Sequence, residues 1–405
     1  MIEAGSSAFW RATLALCLGS FMIFANVYVT QPLLPTMAHH FDISELKASW
    51  SFTITTLMLG LSLLIYGPLS DAIGRKNIMA ATMSGVVLTT FLLSQTQDYH
   101  QLLVLRGVQG FCLGGLPAIA VAYLGDEFRK EAMLMAVGFY ISGNTLGGIG
   151  GRLIGGFVGE WLGWSEAFLV MTLISFVLLA AFLFLLPASE HFSAKPLHPA
   201  SMLKGMKNHL RNPLLICAYL VGGFNFFIFI NQYSFITFVL AAEPYHLSPA
   251  WLGMLFLTYL SGTVGSAMSG KIAKSIPQTV CMMVGIACMM VGTLVTLLPS
   301  VAAIIVGFLI SAFGFFFTHS TASAWVSHNA HENKASASSL YLVFYYLGAS
   351  TGGFYLSPFW QWAQWEGVVA GSLLVLFATL SVAYVLHRLH RQHMTIGAVT
   401  PEWHG

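Results

Sequence analysis

Two arginines, Arg106 and Arg152, stand inside long apolar stretches of the 405-residue chain, and no Asp or Glu lies deep in any such stretch. A guanidinium keeps its proton, so each needs polar partners or an aqueous cavity. Arg152 is suited to attracting an anionic substrate or making a gating contact. Plainer readings have Arg106 snorkelling or bonded to backbone carbonyls, and Arg152 paired with a neighbouring carbonyl or with Glu160. A second constellation is Gly67-Pro-Leu-Ser-Asp71-Ala-Ile-Gly74-Arg75-Lys76. An acid near a helix end and two bases across a glycine turn can form a charge network that breaks and re-forms. Gly67 and Gly74 would permit close approach and turning of the backbone; Arg75 and Lys76 would also serve as plain charge anchors. Proton carriers are expected among Asp71, Asp126, Glu127 and His319. His319 is able to titrate near neutral pH, or to sit neutral and hydrogen-bonded.

Uncharged polar side chains in the apolar stretches form a pool of cavity candidates: Asn26, Tyr28, Gln31, Gln109, Tyr140, Asn144, Asn225, Asn231, Gln232, Tyr345 and Tyr346, together with Arg106 and His319. Part of this pool must serve only as hydrogen bonds between helices. Other chemistry is poorly supplied. The five cysteines, at 17, 112, 217, 281 and 288, lack metal-ligand spacing, and the histidines at 39–40, 328, 331, 387, 390 and 393 make no buried coordination set. No Ser-His-Asp arrangement assembles from one side of a membrane, and the glycines near 150 lack the lysine and strand context of a phosphate loop. No cofactor, metal or catalytic residue is expected.

The elements that must position these residues follow from composition. The chain is 57% hydrophobic and only 8% charged, against about 25% charged in soluble domains. That excludes disorder, a disulfide scaffold and a nucleic-acid-binding surface, and makes lipid the solvent. A spanning helix takes about 20 residues. Apolar runs fall at 10–35, 48–69, 77–96, 101–124, 132–158 and 164–187, then at 213–241, 251–273, 279–298, 300–325, 336–358 and 364–387. The first is expected to be a retained helix, since no small-residue cleavage site follows it.

With both termini inside, 14 of the 17 basic residues fall in cytoplasmic segments, and Lys47 alone in an outside loop. The expected organisation is a six-helix half at 1–187, a linker at 188–212, a second half at 213–388 and a cytoplasmic tail at 389–405. A duplication supports it: Tyr140-Ile-Ser-Gly-Asn-Thr-Leu-Gly-Gly148 is echoed by Tyr345-Tyr-Leu-Gly-Ala-Ser-Thr-Gly-Gly353, 205 residues on. Parallel six-helix halves are one repeat arrangement of secondary transporters, with substrate held between them.

The segment from Gly67 to Lys76 resembles the loop signature between helices two and three of the major facilitator superfamily, which implies control of conformational interconversion. Leu105-Arg106-Gly107-Val108-Gln109-Gly110 is similar to that family's fourth-helix motif, whose arginine is associated with proton transfer. Gly138, Gly147, Gly151, Gly155 and Gly156 resemble the fifth-helix motif of its antiporters and drug exporters, expected to pack closely against a helix of the other half. The chain departs from that motif at Arg152, where proline usually follows the third glycine. Asn26 through Pro35, with Pro32 and Pro35, is similar to the first-helix signature of the twelve-helix drug-exporter branch.

The resemblance implies an all-α membrane protein of twelve transmembrane helices in two parallel-repeat halves. It further implies a monomeric multi-pass exporter of small molecules in a bacterial inner membrane, with protons and lipid as its other partners. Gly67, Asp71, Gly74, Arg75, Lys76, Gly147, Gly151, Arg152, Gly155 and Gly156 would be its conformational gates. Alternatives are a symporter or facilitator importing an organic acid or sugar, favoured by the two interior arginines, and a transporter-like sensor or interaction protein.

Overall fold

The computed structural model describes residues 1–192, 206–330 and 334–399. Lys195 and Lys204 of the expected linker, and the tail beyond 399, lie outside the described residues. All named elements are helical, and by contacts the chain falls into two compact units. One draws its described residues from Met1–His198 and Tyr233–Leu257, the other from Pro199–Gln232 and Thr258–Gly405.

The first unit contains α1 (Ser7–Tyr28), a 3-10 turn (Gln31–Leu33), α2 (Leu34–His40), α3 (Glu45–Ile73), α4 (Arg75–Ser94), α5 (Tyr99–Leu113), α6 (Gly115–Glu127), α7 (Lys130–Trp161) and α8 (Trp164–Leu185). Local chemistry sets its helix starts: Ser6, Ser44 and Asp98 each accept from the backbone N–H three residues on, satisfying an orphan donor. Pro32 and Pro35 follow the end of α1 and lack a donor to continue it, so the first crossing changes direction through the 3-10 turn. Gly74, at φ 121°, parts α3 from α4 in a conformation closed to L side chains.

Downstream come α9 (Pro213–Ala241), α10 (Pro249–Leu255), a 3-10 turn (Phe256–Thr258), α11 (Tyr259–Ile272), α12 (Gln278–Val295), α13 (Val301–Asn329) and α14 (Lys334–Val399). Non-helical dihedrals at Ala363 and Gln364 divide α14 into two helices, at the gap expected between the last two runs. Among the described residues ten segments are long and apolar enough to cross a membrane. The last of them holds two crossings joined at this kink, and α10 with α11 adds an interrupted one, giving about twelve. Apolar side chains line the outer face of α8, where Leu173, Phe176, Val177 and Phe184 are exposed, as a lipid-facing helix requires.

The same close contact occurs in each unit. Gly143 and Gly147 of α7 lie against the carbonyls of Cys17 and Phe21 in α1, and Gly348 and Gly352 of α14 lie against those of Gly223 and Phe227 in α9. The partners are related by steps of 205 and 206 residues, so the sequence echo coincides with an echo in packing.

Candidate functional site

Arg106, on α5, is fully buried. Helix α1 ends nearby, leaving carbonyls without intrahelical partners. Arg106 donates from Nη1 to Asn26 O and from Nη2 to Val27 O, both at 3.0 Å, and from Nε to Ser51 O at 3.2 Å. Gln109 Oε1 and Thr30 Oγ1 accept its other two N–H groups. Five donors thus meet five neutral acceptors, two of them at the negative end of the α1 dipole, which supplies the stabilisation a carboxylate would otherwise give. The network continues outward. Gln109 Nε2 donates to Thr90 Oγ1 at 2.7 Å, Thr90 Oγ1 donates to Asn26 Oδ1 at 2.9 Å, and Asn26 Nδ2 donates to Ser175 Oγ at 2.8 Å. It ties together α1, α3, α4, α5 and α8.

Arg152 is likewise fully buried, on an unbroken α7. Its guanidinium carbon lies 3.9 Å from the ring centroid of Tyr28 and 4.2 Å from that of Phe256. Its Nε donates to Gln31 Oε1 at 2.8 Å and its Nη1 to Gly148 O at 3.0 Å. Gln31 donates onward from Nε2 to Ser234 Oγ at 3.2 Å. A turn along α7, a Cβ at Gly156 would come within 2.5 Å of Pro249 O. A further turn on, Glu160 caps the start of α10: its Oε2 accepts from Ser248 Oγ at 2.6 Å and from Ala250 N at 3.0 Å. Over three turns, α7 therefore holds the 248–256 segment with a carboxylate cap, a backbone contact and an aromatic-sandwiched cation.

One expectation about the glycine series needs correction. Gly147, Gly151 and Gly155 face α1, where a Cβ would overlap the backbone of Phe21, Ala25 and Val29, and so pack within the first unit. Of the four gate glycines on α7, Gly156 is the one that meets residues from later in the sequence. A spacing of four keeps three glycines on one face, whereas Gly156 is turned about 100° away from Gly155.

At the other end of α7 lies the loop network. Arg75, 7% exposed, pairs through Nη1 with Asp71 Oδ1 at 2.5 Å and through Nε with Asp126 Oδ2 at 2.9 Å, and donates to Ser70 Oγ. Asp126 thereby joins the gate constellation. Lys76 Nζ donates to Leu186 O at 2.5 Å. Glu127 is buried, accepting from His191 N at 3.0 Å and pairing with His191 Nδ1 at 3.0 Å. Gly67 does not make the expected close approach, because a Cβ there would meet nothing within 4 Å.

The remaining candidates divide by contact. Asn144 accepts from Ser20, and Tyr140 is buried beside them. In the second unit Asn225 donates to Phe315 O at 3.4 Å, Asn231 to Ala349 O at 3.0 Å, and Gln232 to Thr293 Oγ1 at 3.0 Å. His319 Nδ1 lies 2.9 Å from Tyr341 OH, and its ring centroid lies 4.6 Å from that of Tyr345. Tyr345 stacks on Phe226 at 3.9 Å and meets Tyr346 edge-on. Sequence reasoning missed Phe256, Ser234, Thr90 and Ser175. Nothing in their local sequence separates them from other aromatic or hydroxyl residues of apolar runs, apart from the Ser248-Pro249 helix start that lies just before Phe256.

Comparison with known proteins gives a consistent picture. The model of the family described as "Major Facilitator Superfamily" matches residues 16–353. The chain is 34% identical to the uncharacterized MFS-type transporter YybF of Bacillus subtilis (strain 168), over 96% of each. It is 35% identical to the inner membrane transport protein YnfM of Escherichia coli (strain K12), over 96% of this chain and 93% of that one. In fold it is similar to a bacterial homolog of the human lysosomal transporter Spinster in an inward-facing, occupied conformation. The TM-score is 0.72 at 14% identity, over 93% of this chain and 96% of that one.

Proposed function

The chain belongs to the Major Facilitator Superfamily, and from that premise we propose that it is a proton-coupled exporter of small molecules, working by alternating access in a bacterial inner membrane with both termini cytoplasmic. As a superfamily member it is a multi-pass membrane transporter of small molecules whose work is translocation, not covalent chemistry. The finer reading is carried by one observation: an exchangeable contact set on α3, α4 and α6 precedes the start of α7, and another lies near the end of α7. In the first, Arg75 holds Asp71 and Asp126. In the second, Arg152 and Glu160 hold Phe256, Ser248 and Ala250. At 32 residues the helix is about 48 Å long, longer than a bilayer's hydrocarbon core is thick, and in this reading the two sets serve opposite faces.

Alternating access needs such a pair, with one set open while the other is made. Asp71, Asp126 and Glu127 are the groups we assign to proton exchange: they sit at helix ends, Asp71 and Asp126 partly exposed and Glu127 buried against His191, while Arg106 has each donor engaged. The export direction rests on the resemblance of the fifth-helix glycines to those of antiporters. The likeness to YnfM, an inner membrane transport protein of Escherichia coli, supports the location. The buried Arg106 and Arg152 favour a second reading, import of an organic acid by symport or facilitated diffusion.

Deletion of the gene in its host separates the two. Export predicts sensitisation to some compound in a toxicity panel and unchanged growth on every carbon source. Loss of growth on an organic acid, without sensitisation, would overturn export.

A further inference from the structure

The two interior cations raise the question of what charge the cargo carries. Resting on the transporter reading above, we infer that the substrate is an organic anion with a flat apolar body, received at Arg152.

The first argument is electrostatic. Arg106 and Arg152 are both fully buried in the first unit, while the acids of the chain stand at helix ends and in loops. Fixed positive charge in a low-dielectric interior attracts an anion and repels a cation by the same Coulomb law. The second argument is geometric. Arg106 has its five N–H groups on carbonyl, amide and hydroxyl oxygens, so it contributes a field and no free donor. Arg152 donates to the Gln31 side chain and to the Gly148 carbonyl and lies against two ring faces. Gln31 and Phe256 both lie in 3-10 turns, where helix hydrogen bonding is already interrupted. Displacing either side chain disturbs little regular structure.

An incoming carboxylate or sulfonate would take the place of Gln31 Oε1 at Nε, exchanging a neutral acceptor for a charged one. Aromatic rings stand where the apolar body would lie. Tyr28 stacks between Phe24, 6.4 Å away, and Phe52, 5.8 Å away, giving a run of ring faces beside the guanidinium. A cationic cargo would have to compete with Arg152 for the Tyr28 face against the repulsion of both arginines.

Three aromatic probes of matched size separate the possibilities: benzenesulfonate, benzyl alcohol and benzyltrimethylammonium, added to the purified full-length protein while thermal unfolding is followed. Benzenesulfonate should raise the unfolding temperature in a dose-dependent way and the other two should not. In Arg152→Gln the concentration needed should rise by about tenfold or more, and Arg152→Lys, which keeps the charge, should retain part of the effect. If Arg152→Gln does not fold, the ranking of the three probes on the native chain and on Arg152→Lys still decides. Stabilisation by the cation or the alcohol above the anion, no response to the anion, or an anion effect unchanged in Arg152→Gln would each overturn the inference. Flux of the cation or the alcohol into proteoliposomes would leave the transporter reading standing while removing the anion.

Discussion

Arg106 illustrates how a membrane interior can keep a charge with no acid beside it. Its partners are backbone carbonyls and neutral side chains, gathered where α1 ends and its carbonyls need donors. Replacing it tests this directly. Arg106→Lys retains the charge but offers three donors from a point where five were spread across a plane, so at least two acceptors lose their partner. The expected cost is about 1–2 kcal/mol, read as a lower unfolding temperature in detergent, and equal stability would show that the five bonds contribute nothing. The presence of both interior arginines was legible from their position in apolar runs. Their partners were not, because every residue supplies a carbonyl and only the fold selects three of them. Phe256, which stacks on Arg152, is likewise one of 31 phenylalanines until tertiary structure brings the 3-10 turn after α10 against α7.

The helices themselves were the most readable level, since runs of about 20 apolar residues have few other physical outcomes in lipid. What the runs concealed was their internal breaks: the 3-10 turns at Gln31–Leu33 and Phe256–Thr258 both lie inside continuous apolar sequence. The glycine stripe of α7 was visible, but its partner helix was not, because spacing defines a face without naming what lies opposite. Two of its glycines make a controlled comparison. A Cβ at Gly151 would overlap the backbone of Ala25, whereas one at Gly138 would meet nothing within 4 Å. Gly151→Ala should therefore push α7 from α1 at a cost of about 1–3 kcal/mol. Gly138→Ala should be neutral or stabilising by up to about 1 kcal/mol through helix propensity. Thermal unfolding of the two variants side by side checks the contact, and equal effects would count against it.

At the scale of the whole molecule, the membership of the superfamily supplies the fold and the transport activity, and the chain's own residues supply the proposed mechanism. Its few charges lie mostly at helix ends: one contact set joins α3, α4 and α6 before the start of α7, another lies near the end of α7, and the apolar runs between hold two arginines and no deep acid. Coupling is then a matter of which contacts protons weaken and which way cargo moves meanwhile. The direct measurement is simultaneous: substrate flux and lumenal pH recorded together in proteoliposomes of one orientation, with a panel compound that sensitises the deletion strain. The account predicts that protons and substrate move in opposite directions, and that an imposed pH gradient drives substrate against its own gradient. Flux with no change in lumenal pH, or protons accompanying the substrate in the same direction, would contradict it.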